Sequence, residues 1–467
     1  MSGETPRHDT ELKAAFRYQR DRGDGAPRPI ERPSCPSAED TAREVREGTE
    51  TAVGVFDACF KRIEAVEPEV SAWVHLAPDV GRAMAQAVDA GPHDGPLAGI
   101  PVALKDVIDT ADLPTEKGTP VCEGRRPSAD ATVVSRLRAA GAVLPGKAVT
   151  TEFAYFHPGK TRNPYDLNRT PGGSSSGPGA AVGAGMVPVA LGGQTVGSVV
   201  RPASFCGVWG MKPSFGLIPV TGVDPIAHSL DHIGAFTQSA RDLALVIDAI
   251  SGDDGIDDAS TGQAPSQLVA ALDRPLERPR LGFVRTFAWD QLDDGLDELF
   301  ESVAEELGAA EVEMPHLFEA TYNTHHTIFL AEMAFHRAEA YASQSHRLSP
   351  LLIEGIEAGM EISAESYIEA QRRAAEMRTE LAILFAEFDA VISPCAKGEA
   401  PIGIAATGDP IFCMLWTMMG APTVSIPALE GPNGLPVGLQ VTGPHRTDGA
   451  VLRAAAWIGD ALGVTAP

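Results

Sequence analysis

Apolar positions along this chain fall into two rhythms. Short unbroken apolar runs bounded by Gly, Pro or polar residues predict buried strands, and apolar residues recurring every three or four positions predict amphipathic helices. Residues 37–68 follow the helical rhythm, with Val53, Phe56, Phe60 and Ile63 on one stripe. Ser37, with Asp40 three residues on, resembles a capping box in which Asp takes the place of Glu. LAGIPVALKDVI (97–108) opens as an apolar strand and ends in Lys105. TVVSRLRAAGAVLPGKAV (132–149) reads as a helix stopped near Gly141, then a strand. GAAVGAGMVPVALGG (179–193) reads as a buried helix running into a strand, because Pro188 and the glycines break it as a membrane span. Helix and strand alternate to about residue 250, which predicts an α/β architecture with a largely parallel or mixed sheet.

SGDDGIDDASTGQAPS (251–266) is almost free of apolar residues and reads as a linker. RPRLGFVRT then begins a new strand, residues 317–387 are mostly helical, and FDAVISPCA and GLPVGLQVTG read as two further strands before a closing helix, DGAVLRAAAWIGDALG. Residues 1–37 are polar and proline-bearing, expected to form an N-terminal arm, and lack the apolar centre of a secretion signal.

Composition narrows the function classes. The chain has 467 residues, 44% of them hydrophobic and 21% charged, enough apolar content for a large core. A net charge of -26 argues against nucleic acid or an anionic membrane as the main partner. The six cysteines (Cys35, Cys59, Cys122, Cys206, Cys395, Cys413) show no metal-like spacing, and they read as reduced thiols in a cytoplasmic protein. No metal or other cofactor is called for.

Two serine-bearing glycine loops and one lysine carry the chemistry. Gly173-Ser174-Ser175-Ser176-Gly177 satisfies the G-x-S-x-G pattern of a hydrolase nucleophile elbow, but none of the later histidines has a neighbourhood that marks it as a partner, and the pattern leaves a second loop at Ser198 unexplained. Lys105 follows a buried-strand pattern and is one of only eight lysines. Ser174 and Ser198 lie 24 residues apart. The set LAGIPVALKDVIDT, RTPGGSSSG and GGQTVGSVVRPASFCGVWGMKPSFG resembles the amidase signature family, as do SLDHIGAFTQSARDLALVIDAISG and MLWTMMGAPTVSIPALEGPNGLPVGLQVTGP. The resemblance runs from about residue 38 to the end, is dense between 97 and 250, and is weaker over 267–385.

The resemblance implies the amidase signature fold, a mixed central β-sheet with α-helices on both faces, in a single domain over 38–467 with the 317–387 helices shaping the substrate pocket. It also implies Ser198 as nucleophile, Ser174 as proton relay after a cis Gly173–Ser174 bond, and Lys105 as base. Serine needs a base to attack an amide. A lysine serves only when neutral, and burial away from carboxylates lowers its usual value of about 10.4. Asp106, next along the strand, is expected to point to the opposite face. The backbone N–H groups of Thr195, Val196, Gly197 and Ser198 occupy the family's oxyanion positions. Val196 stands where the family pattern carries glycine, and it is expected to hold negative φ beside the substrate carbonyl. Ser175, Arg201 and Trp416 are candidate substrate contacts, with Arg201 serving either a structural or a substrate carboxylate. The resemblance implies a homodimeric hydrolase of a small-molecule amide. It also allows the A subunit of an amidotransferase, working with a partner, or a non-catalytic binding protein on the same fold.

Overall fold

The structure is a computed structural model that describes residues 35–92, 94–275 and 277–464, so all but the end of the expected arm lies outside the described residues. Eleven strands form one sheet: β1 (Trp73–Leu76), β2 (Val102–Lys105), β3 (Gly146–Ala148), β4 (Val189–Gln194), β5 (Trp209–Lys212), β6 (His232–Thr237), β7 (Leu281–Val284), β8 (Ala310–Val312), β9 (Ala390–Pro394), β10 (Thr423–Glu430) and β11 (Pro436–Thr442). Their order is β1-β3-β2-β4-β6-β5-β10-β11-β9-β7-β8. β2 runs parallel to both β3 and β4, and β7 runs parallel to β8 and β9, while the central strands pair antiparallel. The mixed α/β fold matches the expectation.

The segment 251–266 does not separate two sheets. β7, the first strand after it, pairs with β9 in the same sheet. The helical region is built from helices Thr321–Gln344, Pro350–Met360 and Ala364–Leu384, which pack on one another.

Residues 37–68 are helical, as their rhythm predicts, in two helices, Ala38–Glu47 and Ala52–Val70, with the stripe Val53, Phe56, Phe60 and Ile63 wholly on the second. Gly48 ends the first at φ 71°, a left-handed conformation that glycine adopts without a Cβ clash. Thr51 then starts the second by accepting the Gly54 N–H at 3.0 Å. The Ser37–Asp40 cap is present: Ser37 Oγ accepts the Asp40 N–H at 3.1 Å and donates to Asp40 Oδ2 at 2.9 Å. Among the described residues, no helix is long and apolar enough to cross a membrane.

Candidate active site

β2 ends in Lys105, and its parallel neighbour β4 ends in Gln194, with Leu104 level with Leu191. Both strands therefore release their chains at one edge of the sheet, where the crevice of an open α/β sheet forms. The segment Gly172–Ser176 folds against this edge. Gly192 permits the approach, since a Cβ there would lie 2.6 Å from Ser175 Oγ. Ser175 Oγ accepts the Gly193 N–H at 3.3 Å and donates to the Gly193 carbonyl at 3.2 Å, which ties the two segments together. The Gly173–Ser174 peptide bond is cis, the one such bond among the described residues.

Lys105 Nζ lies 2.7 Å from Ser174 Oγ and 3.3 Å from the Gly193 carbonyl. Burial of the side chain lowers its pKa to about 7, against an opposing pull from Asp231. The lysine is therefore partly neutral near pH 7, although a carboxylate is closer than expected. No ion pair to Lys105 forms among the described residues. Asp106 does point away, and its Oδ1 lies 3.3 Å from Lys147 Nζ.

Ser174 and Ser198 line one cavity, together with Val196, Tyr155, Phe156 and Phe329. Its free volume is about 10 Å³, roughly what one water needs. Tyr155 and Phe329 stack with ring centres 5.8 Å apart, and Phe156 meets Tyr155 edge-on at 4.7 Å. The segment leading into this aromatic wall is bent, with Phe153 and Ala154 at φ 47° and 56°.

The loop 195–198 leaves β4 along the same cavity. Val196, Gly197 and Ser198 donate no backbone hydrogen bond among the described residues. Val196 does not have positive φ, as expected, and it lines the cavity. Thr195 Oγ1 donates to Asp231 Oδ1 at 2.5 Å. Asp231 Oδ2 accepts the Ile226 and Ala227 N–H groups at 2.8 and 3.1 Å. Burial raises the Asp231 pKa to about 7 despite these bonds.

The Amidase family profile matches residues 55–452. The chain belongs to the amidase signature family. Its curated relatives include the A subunit of the glutamyl-tRNA(Gln) amidotransferase of Carboxydothermus hydrogenoformans, 33% identical with 90% of this chain and 96% of that protein covered. Another is the AtzE subunit of the 1-carboxybiuret hydrolase of Pseudomonas sp. (strain ADP), 32% identical with 88% and 95% covered. Among solved structures, the peptide amidase from Stenotrophomonas maltophilia superposes with a TM-score of 0.78 at 29% identity, covering 91% of this chain and 96% of that one. A chain from a vestigial protein complex connected with the origins of an s-triazine catabolic enzyme superposes with a TM-score of 0.86 at 29% identity, covering 92% and 99%. The protein is an amidase-family hydrolase.

Within this member of the family, Lys105 contacts Ser174, and Ser174 and Ser198 line one cavity. The three candidate substrate contacts fare differently. Ser175 is fully buried and its hydroxyl is held by Gly193. Trp416 sits wholly buried in helix Ile411–Met418, away from the cavity lining. Arg201 does line the cavity, but its guanidinium donates to the backbone carbonyls of Gly173, at 2.6 Å, Gly408, at 2.8 Å, and Thr407. Among the described residues it pairs with no carboxylate. The reason is local: Arg201 is buried in the first turn of helix Val200–Phe205, facing two loops that turn their carbonyls toward it. Sequence reasoning missed Gln194, Asp231, His325 and Thr417. Gln194 and Asp231 sit inside the family motifs with no role of their own there, and His325 is one histidine among several on a long helix.

Proposed function

We propose that this amidase cleaves a carboxylic amide of a small molecule through an acyl-enzyme on Ser198, with Ser174 as proton relay and Lys105 as base. The observation that carries the proposal is the buried, partly neutral Lys105 at 2.7 Å from Ser174 Oγ, beside a cavity that Ser174 and Ser198 share. Lys105 takes the Ser174 proton while Ser174 takes that of Ser198, whose oxygen attacks the amide carbon. The C–N bond then breaks, and the relay returns the proton to the leaving nitrogen. Water enters by the same route, giving up a proton as it attacks the acyl carbon, and frees Ser198. The N–H groups of Thr195 to Ser198 stabilise the oxyanion. The narrow, aromatic-walled cavity supports a compact acyl group, with Val196 beside the reacting carbonyl.

An ammonia-release screen over a panel of primary amides tests this reading. Wild type turns over at least one amide and Ser198→Ala none; normal turnover by Ser198→Ala overturns the assignment. Labelling of Ser198 by a fluorophosphonate excludes a non-catalytic binding role.

The similarity to the A subunits of amidotransferases favours a second reading, in which glutamine is the amide and ammonia passes to a partner. Glutaminase activity that depends on a co-purifying partner protein is its signature. The first reading also takes the enzyme as a cytoplasmic homodimer; sedimentation giving a monomer mass removes the dimer.

A further inference from the structure

We infer that His325 and Thr417 are positioning residues for the oxyanion loop: each holds one loop carbonyl and so aims the N–H of the same peptide unit at the reacting oxygen. The inference rests on the reading of Ser198 as the nucleophile. A trans peptide unit is planar, with its C=O and N–H pointing in opposite directions. The units joining Thr195 to Val196 and Val196 to Gly197 are both trans. Fixing a carbonyl on one side therefore fixes the direction of the N–H on the other.

Three carbonyls precede the three free N–H groups of Val196, Gly197 and Ser198, and each has a donor. The Gly197 carbonyl accepts the Arg201 N–H at 3.1 Å, an ordinary bond at the start of the next helix. The other two donors come from far along the chain. His325 Nε2 lies 3.1 Å from the Thr195 carbonyl, 130 residues away in sequence. Thr417 Oγ1 lies 2.7 Å from the Val196 carbonyl, 221 residues away.

Both donors are themselves set. His325 is fully buried on helix Thr321–Gln344, and a ring nitrogen facing a carbonyl must carry the proton. Burial pushes its pKa down to about 4, so the imidazole stays neutral over the working range of pH. Thr417 accepts a hydrogen bond from Gln194 Nε2 at 2.9 Å. That bond occupies a lone pair and turns the hydroxyl proton toward its two carbonyl neighbours. Of these, Val196 at 2.7 Å is nearer than Cys413, at 3.0 Å in its own helix. Gln194 Oε1 meanwhile accepts the Val199 and Val200 N–H groups at 2.8 and 2.9 Å, which locks the far end of the loop. Pre-aimed donors of this kind need no reorganisation as charge develops on the oxygen.

Phosphonylation by a fluorophosphonate tests the inference without knowledge of the substrate. Ser198 Oγ gives its proton to the Ser174–Lys105 relay as it bonds to phosphorus, the P–F bond breaks, fluoride leaves, and the phosphoryl oxygen occupies the oxyanion site. The maximal labelling rate and the apparent inhibitor affinity are measured separately over pH 6–9. Thr417→Val and His325→Leu each slow maximal labelling tenfold or more, with affinity and the position of the pH limb unchanged. Thr417→Ser and His325→Gln, which keep a donor, stay within about threefold of wild type. Rates within twofold of wild type in folded Thr417→Val overturn the inference. Equal losses in Thr417→Val and Thr417→Ser also overturn it, because they report packing rather than donation. If Thr417→Val does not fold, the His325→Leu and His325→Gln pair decides by the same criteria. Ser198→Ala separates the two levels: labelling that persists in it defeats the reading of the nucleophile itself, whereas its loss together with unaffected Thr417→Val defeats only the positioning role.

Discussion

Lys105 and Lys147 stand at the end and the middle of adjacent parallel strands, are both almost wholly buried, and meet opposite surroundings. Lys147 has Asp106 Oδ1 at 3.3 Å, Thr115 Oγ1 at 2.6 Å and the Ile108 carbonyl at 2.7 Å. With the Pro114 carbonyl at 3.4 Å these make four acceptors, one of them a carboxylate, enough for the three donors of an ammonium group. Lys105 has a serine hydroxyl and one carbonyl, with no carboxylate in contact. Burial is the largest influence on both lysines and lowers the pKa of both; the Asp106 carboxylate in contact with Lys147 opposes it there, and Asp231 opposes it at Lys105 without an ion pair. What sets Lys105 apart is its contact with a serine hydroxyl at the cavity.

The contrast can be broken at several points. The largest effect is expected at the acceptor of the relay: Ser198→Ala lowers amide turnover by about 10⁴-fold or more, with thermal stability unchanged. Next, Lys105→Met lowers kcat by about 10²–10⁴-fold, the usual range for losing a general base. The same variant is no less stable than wild type. The folded state binds fewer protons here than the unfolded chain between pH about 7 and the ordinary lysine value of 10.5, so the wild type gains stability through this group as pH rises. The Tm advantage of Lys105→Met is therefore greatest at pH 7 and below and fades toward pH 10.

Lys147→Met does the reverse. It strands the buried Asp106 carboxylate and costs about 3–5 kcal/mol by chemical denaturation, while kcat of the folded protein stays near wild type. A dead but stable Lys147→Met enzyme breaks the comparison. In the wild type, kcat/KM rises with pH through about 7 and levels off above it, as Lys105 loses its proton. The smallest effect sharpens this limb. Asp231→Asn removes the carboxylate that holds the Lys105 pKa up, so the limb moves to lower pH by less than about one unit. A limb that moves to higher pH contradicts the electrostatic account of Lys105.

Much of this is legible in the sequence because the residues concerned lie in contiguous motifs. The strand ending in Lys105, the helix-to-strand run over 179–193 and the later strands follow from local apolar rhythm alone. Lys105 and the loop that bears Ser198 come to one edge of the sheet because parallel β2 and β4 both end there, whereas Ser174 is brought to it by the long segment between β3 and helix Ser176–Gly183. Gly48 marks a boundary that the apolar rhythm alone does not give: the stripe from Val53 to Ile63 lies wholly on the second helix, and the break before it is signalled only by a glycine and a threonine cap. Arg201 shows a different limit. A buried arginine suggests a carboxylate partner, yet backbone carbonyls take its donors, and carbonyls carry no side-chain signature. His325 and Thr417 are illegible for the same reason, since what they bind is main chain that only tertiary structure brings near.

Helix Thr321–Gln344 carries Phe329 in the cavity wall and His325 against the loop, one helical turn apart. A mutation that shifts this helix to admit a bulkier acyl group also drags on the Thr195 carbonyl. Substrate range and turnover are thus mechanically linked in one rigid element, and they cannot be selected independently by moving it. Variant libraries aimed at new amides should vary Phe329 and its aromatic neighbours while leaving the backbone of that helix and His325 untouched.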